Sequence, residues 1–148
     1  MGLSHHSELL ILDEPTTGLD PISRDEILTI FEQIVDQEGA TVFFSTHITS
    51  DLDKCADDIT YIQDGKIVAS MGKKALVDSW RLVEGRTDDL PDELKGRLTG
   101  FHERRGEFSG LLRKEDLEKA SGFKISRADL EAIMVYNERM AESEESSL

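Results

Sequence analysis

Apolar positions along the chain follow two different periods. Leu9-Leu10-Ile11-Leu12 is an unbroken apolar run closed by Asp13 and Glu14, and Ala40-Thr41-Val42-Phe43-Phe44-Ser45 is a second such run. Short continuous runs of this kind predict strands buried on both faces, as in a parallel sheet. Between them Ile27, Ile30, Phe31, Ile34 and Val35 recur at the spacing of one helical face, which predicts a helix over 22–37. Asp20 or Ser23 can cap it, Pro21 suits its first position and Gly39 ends it. Strand, helix and strand in this order predict a βαβ unit with a right-handed crossover.

Further on the predicted elements are shorter. A short helix is expected over 51–56, followed by a hairpin of Ile59–Ile62 and Lys66–Ala69 around a type I′ turn at Asp64-Gly65. Past Gly72 the pattern predicts a helix over 74–79, a strand over 80–83 and a turn with a short helix over 88–97. A strand or hairpin over 98–112 and helices over 114–120 and 126–140 complete it. In the last helix Leu130, Ile133, Met134 and Asn137 share a face, and Ser126 with Asp129 has the spacing of a capping pair. Residues 141–148 are almost wholly polar and are expected to be disordered.

Charge adds a division that periodicity does not show. Of 148 residues, 17 are Lys or Arg and 31 are Asp or Glu, a net charge of −14. Residues 1–72 hold three basic and fourteen acidic groups, whereas residues 73–148 hold fourteen and seventeen. The shift places a boundary near Met71–Lys74 and gives three expected parts: 1–72, an α+β extension over 73–140, and the acidic tail 141–148. Such acidity argues against a nucleic-acid partner, since phosphate binding needs clustered Lys and Arg. The single cysteine, Cys55, makes no internal disulfide and fits a reducing cytosol. The opening Met1–Ser7 lacks the features of a secretory signal, and no apolar run reaches the roughly 18 residues of a membrane span. His5-His6 reads as helix surface, His102 beside Arg104-Arg105 as surface, and Trp80 as a core anchor of the extension.

The candidate chemistry lies where the first strand ends. Asp13 and Glu14 are adjacent carboxylates at the carboxyl edge of a parallel strand, where α/β sheets bind ligands. An acid there can hold Mg²⁺ through water, and its neighbour can deprotonate an attacking water.

Leu9–Glu14 followed by Pro15-Thr16-Thr17-Gly18-Leu19-Asp20-Pro21, with Ser45-Thr46-His47 further on, resembles the ATP-binding-cassette (ABC) ATPases. The first string is similar to their Walker B motif, Thr17–Asp20 to their D-loop, and His47 to their switch histidine. The resemblance implies that Asp13 holds Mg²⁺ through water, Glu14 acts on the hydrolytic water and His47 reaches the γ-phosphate. It implies that Gly18 and Asp20 meet the nucleotide across a dimer of cassettes. The fold it implies is α/β, a partial P-loop NTPase parallel sheet with a small α+β C-terminal extension.

The match covers roughly residues 1–72. No Gly-x-x-x-x-Gly-Lys-Ser/Thr phosphate loop occurs, nor the family's glutamine loop or signature. Leu3-Ser4-His5-His6 is similar to the end of the helix that follows that signature. The expected identity is therefore the second half of a cassette from a bacterial efflux-type transporter. Its implied partners are the missing N-terminal half, a second ATPase subunit and a transmembrane permease, at the inner face of the cell membrane. The complete subunit would turn over ATP with Mg²⁺. The isolated chain is expected to bind neither tightly and to be inactive. The competing expectations are half of a chromosome-organising or repair ATPase head, and a non-catalytic truncated interaction module. Without a phosphate-loop strand, the outer edge of 42–45 is expected to be closed by Ile59–Ile62 crossing over or by a second copy.

Overall fold

The computed structural model describes residues 8–147. It divides into two compact units, one ending at Ala56 and the other beginning at Asp57. That division precedes the composition boundary near 71–74 and leaves the predicted hairpin in the second unit.

The first unit runs β1 (Leu9–Asp13), α1 (Pro21–Glu38), β2 (Thr41–Ser45) and α2 (Thr49–Cys55). β1 and β2 pair in parallel, from Leu9 opposite Thr41 to Asp13 opposite Ser45. The Asp20 side chain caps α1 by accepting from the backbone N–H groups of Ile22 and Ser23, and Pro21 occupies the first turn. Gly39 ends the helix at φ 64, a left-handed conformation that glycine adopts without a Cβ penalty. α1 buries Leu28 and Phe31, and the Phe31 ring lies 5.7 Å from that of Phe44.

The strands were expected to be buried on both faces, and they are not. Leu10, Leu12, Val42 and Phe44 are half-buried, but Leu9, Ile11 and Phe43 on the other face are 59%, 70% and 61% exposed. A continuous apolar run reports two faces that can be buried, and this two-stranded sheet carries α1 on one of them.

The second unit opens with the hairpin of β3 (Asp58–Gln63) and β4 (Lys66–Gly72). Asp64 at φ 50 and Gly65 at φ 73 supply the two positive angles that a type I′ turn requires. β3 and β4 form a sheet of their own, so Ile59–Ile62 does not cross to pair with β2. After α3 (Lys73–Asp78) comes an antiparallel sheet ordered β6-β7-β5-β8, comprising β5 (Trp80–Arg86), β6 (Thr99–Arg104), β7 (Glu107–Arg113) and β8 (Lys124–Arg127). Val83, Leu94, Leu98, Phe108, Leu112 and Ala120 form its core, with α4 (Asp92–Lys95) contributing Leu94. Trp80 is buried beneath the Arg113 guanidinium, 4.0 Å from its ring centre.

α5 (Leu130–Ser146) packs on β6 and β7 through Leu130 and Ile133. A Cβ on Gly100 of β6 would stand 2.0 Å from the Tyr136 carbonyl oxygen, so glycine sets how closely helix and strand approach. The helix expected over 114–120 forms as a 3-10 helix. Two expectations are corrected here. Ser126 lies in β8 opposite Leu82, so the pair with Asp129 does not form; Asp129 caps α5 alone, accepting from Ala132 N–H at 2.8 Å. The acidic end, expected to be disordered, is helical through Ser146, and its serines fold back on the helix carbonyls, Ser146 Oγ donating to Glu142 at 2.9 Å.

Candidate functional site

The parallel register of β1 and β2 carries three of the singled-out residues to one strand end. Asp13 stands opposite Ser45, whose hydroxyl donates a short hydrogen bond to Asp13 Oδ1. One residue on, Glu14 N–H donates to the Ser45 carbonyl at 2.9 Å, which ties the chain down where it leaves the sheet. Glu14 turns there with φ 43, uncommon for a residue with a side chain. The turn aims its carboxylate toward the β2 end, where Oε1 lies 3.0 Å from His47 Nδ1. Oε2 accepts from Thr17 Oγ1 at 3.2 Å.

An ionised carboxylate only accepts hydrogen bonds, so the His47–Glu14 contact places the imidazole proton on Nδ1. Nε2 then remains as the outward-facing nitrogen of a ring whose side chain is 69% exposed. The arrangement can take a proton at Glu14 and present a ring nitrogen to a ligand from the solvent side.

Gly18 and Asp20 stand in the following loop, and Gly18 turns it at φ 79. Asp20 is engaged locally: Oδ2 accepts from the backbone N–H groups of Ile22 and Ser23, both at 3.2 Å, and Oδ1 from Ser23 Oγ at 2.6 Å. These bonds, the Ser23 hydroxyl first, hold its carboxyl below the ordinary aspartate range.

One constellation here escaped the sequence reading. Thr16 and Asp51 are each about 1% exposed, and Thr16 Oγ1 donates to Asp51 Oδ2 at 2.5 Å. Arg24 Nε donates to the other oxygen, Oδ1, at 3.0 Å. A buried carboxylate thus joins the loop after β1 to α1 and α2. The available signal was that Arg24 is the one arginine before residue 81, amid many acids.

Asp13 suits Mg²⁺ as a single carboxylate, since that ion keeps several waters and takes few protein ligands. No group of three or more His, Cys, Asp or Glu side chains converges to hold a metal among the described residues. The nucleotide fits less well. A triphosphate is normally cradled by successive backbone N–H groups of a glycine-rich loop and by a lysine, and the sequence has no such loop. The residues present do not form a complete Mg–ATP site. His5 and His6 lie outside the described residues.

No family profile matches the chain. It is 41% identical over 67 residues to the bacitracin transport ATP-binding protein BcrA of Bacillus licheniformis, a match covering 45% of this chain and 22% of BcrA. This chain is similar to part of an ABC transporter ATP-binding protein. It is also 36% identical over 93 residues to the energy-coupling factor transporter ATP-binding protein EcfA2 of Streptococcus pyogenes serotype M5, covering 63% of this chain and 33% of EcfA2. The chain thus spans between about a fifth and a third of the length of these relatives. No helix among the described residues is long and apolar enough to cross a membrane.

Proposed function

We propose that this chain is the catalytic-carboxylate half of the ATP-hydrolysing subunit of an ABC transporter, of the bacterial efflux type. The observation that carries the proposal is the convergence of Asp13, Glu14 and His47 at the ends of two parallel strands, with Glu14 and His47 3.0 Å apart. In a completed cassette Asp13 would hold Mg²⁺ through water, and Glu14 would take a proton from the attacking water. His47, its Nδ1–H donating to Glu14, would donate from Nε2 to the terminal phosphate as the doubly protonated ring. Gly18 and Asp20 would face a second subunit, and a permease would receive the work of hydrolysis at the inner face of the membrane.

The exposed face of β1–β2 supports an incomplete cassette. Leu9, Ile11 and Phe43 are apolar positions that a doubly covered parallel sheet buries. The phosphate-loop portion is the natural cover.

The test is ATP hydrolysis by the chain alone and after mixing with a separately produced phosphate-loop portion of a transport ATP-binding protein. The chain alone should show no turnover above background, and the mixture should. Turnover by the chain alone would overturn the reading, because residues that act as a unit fail together when some are missing.

A further inference from the structure

A second polar site lies in the unit that begins at Asp57, where the β3–β4 turn meets the C-terminal half of α5. Tyr61, Gln63 and Asp64 face Glu138, Glu142 and Glu145 across an open cleft of about 360 Å³. Gln63 Nε2 donates to the Asn137 carbonyl at 3.4 Å and joins the two walls.

The helix wall is electrostatically unfavourable as it stands. Glu138, Glu142 and Glu145 follow at four and three residues, so they share one face and repel. They sit toward the negative end of the helix dipole, and the last turn has no basic residue to offset them. Asp64 adds a fourth carboxylate from the turn. Among the described residues no ion pair engages any of the four.

Acidic charge alone would be a solvated surface, and Tyr61 makes this one different. Its side chain lines the cleft at 9% exposure, and among the described residues its hydroxyl has no hydrogen-bond partner. Hydroxyls buried this far are normally bonded, so this one keeps donor and acceptor capacity for a group entering the cleft. Burial first, then the charges of Glu138 and Asp64, push the phenol above its ordinary range. It is therefore a neutral hydroxyl, able to accept from a cationic N–H while donating to a carboxylate.

The four carboxylates do not converge as metal ligands among the described residues, which disfavours a compact ion. They are spread along a cleft whose walls also offer the exposed side chain of Ile62 and the methyl of Ala141. That mixture suits a cation with a hydrocarbon stem.

We propose that this cleft binds an alkylammonium group, its N–H groups bonded to the Tyr61 hydroxyl and shared among Asp64, Glu138 and Glu142. The group can belong to a free aliphatic diamine or to a lysine side chain of a partner protein. The site is independent of the nucleotide chemistry proposed above.

Calorimetric titration of the full chain with 1,4-diaminobutane, and separately with N-acetyl-lysine amide, tests this at about 0.15 M salt, where diffuse attraction is screened. One saturable site is expected for at least one of the two probes, and which probe binds assigns the source of the ammonium. Tyr61→Phe and Glu138→Gln should each weaken binding about tenfold, the cost of a lost charge-assisted hydrogen bond. Glu131→Gln, in the first turn of α5, should leave it unchanged. Asp64→Asn provides a second carboxylate variant that the type I′ turn accepts, so loss of fold cannot mimic loss of binding. Binding of neither probe, equal competition by MgCl₂ at matched ionic strength, or an unaltered Tyr61→Phe titration would overturn the proposal.

Discussion

The carboxylate of Glu14 hangs from a backbone at φ 43, a left-handed conformation that costs a residue with a Cβ about 1–2 kcal/mol. Strain of this kind persists where surrounding bonds hold it, here the N–H bond to Ser45 and the side-chain bonds to Thr17 and His47. Glu14→Gly should therefore be about 0.5–1 kcal/mol more stable than Glu14→Ala, since both lose the side-chain bonds and only alanine keeps the strain, read as a higher urea midpoint at unchanged slope. An equal or lower midpoint would show that no strain is stored there. Asp20 gives a pH-dependent counterpart. Its carboxyl titrates below the ordinary range in the folded chain, so its capping contribution is complete above the unfolded-state value and disappears as pH falls through the lowered one. The stability gap between the wild-type chain and Asp20→Ala should accordingly be widest near neutrality and close on acidification. A gap that holds constant into strong acid would mean that the charge is not what caps α1.

At the scale of elements, residues distant in sequence set the geometry. Asp51 bonds Thr16 and Arg24 from a position 1% exposed, so Asp51→Ala leaves a guanidinium facing a buried void. A loss of about 3 kcal/mol is expected in chemical unfolding, the scale of a broken buried pair. A loss under about 0.5 kcal/mol, ordinary for surface changes, would remove the network from the account. Gly100→Ala should cost at least about 2 kcal/mol, since its Cβ would meet the Tyr136 carbonyl oxygen at 2.0 Å. Neither position carries a local signal, which marks the limit of what was legible. β1, α1 and β2 could be read because unbroken apolar runs flank a 3.6-residue period, with Asp20 and Gly39 as punctuation. β8 could not, because Lys124-Ile125-Ser126-Arg127 acquires its strand character from pairing with β5. The polarity of residues 141–148 predicts disorder, but glutamate and alanine are good helix formers and α5 continues to Ser146. At the site, Asp13 and Glu14 stood out as paired carboxylates at a strand end, and His47 through the family resemblance alone. Arg24 and Asp51 did not, because their meaning lies in a contact spanning 27 residues.

For the molecule as a whole, the exposed Leu9, Ile11 and Phe43 of β1–β2 are a cohesive surface on a chain of net charge −14. Charge repulsion holds copies apart and salt screens it. Sedimentation at rising protein concentration should therefore reveal self-association that strengthens with salt, and Ile11→Lys combined with Phe43→Lys should abolish it. A monomer at all concentrations and salts would show that this face is not cohesive. The same face is where the phosphate-loop portion is proposed to dock, and with it the Glu14–His47 pair would gain a substrate. The most direct measurement is the turnover number for ATP of that completed cassette, with Glu14 and with Glu14→Gln. The account predicts that the substitution lowers turnover by about 10²–10⁴-fold, the contribution of a general base, while the two portions still associate. Undiminished turnover by Glu14→Gln would contradict it.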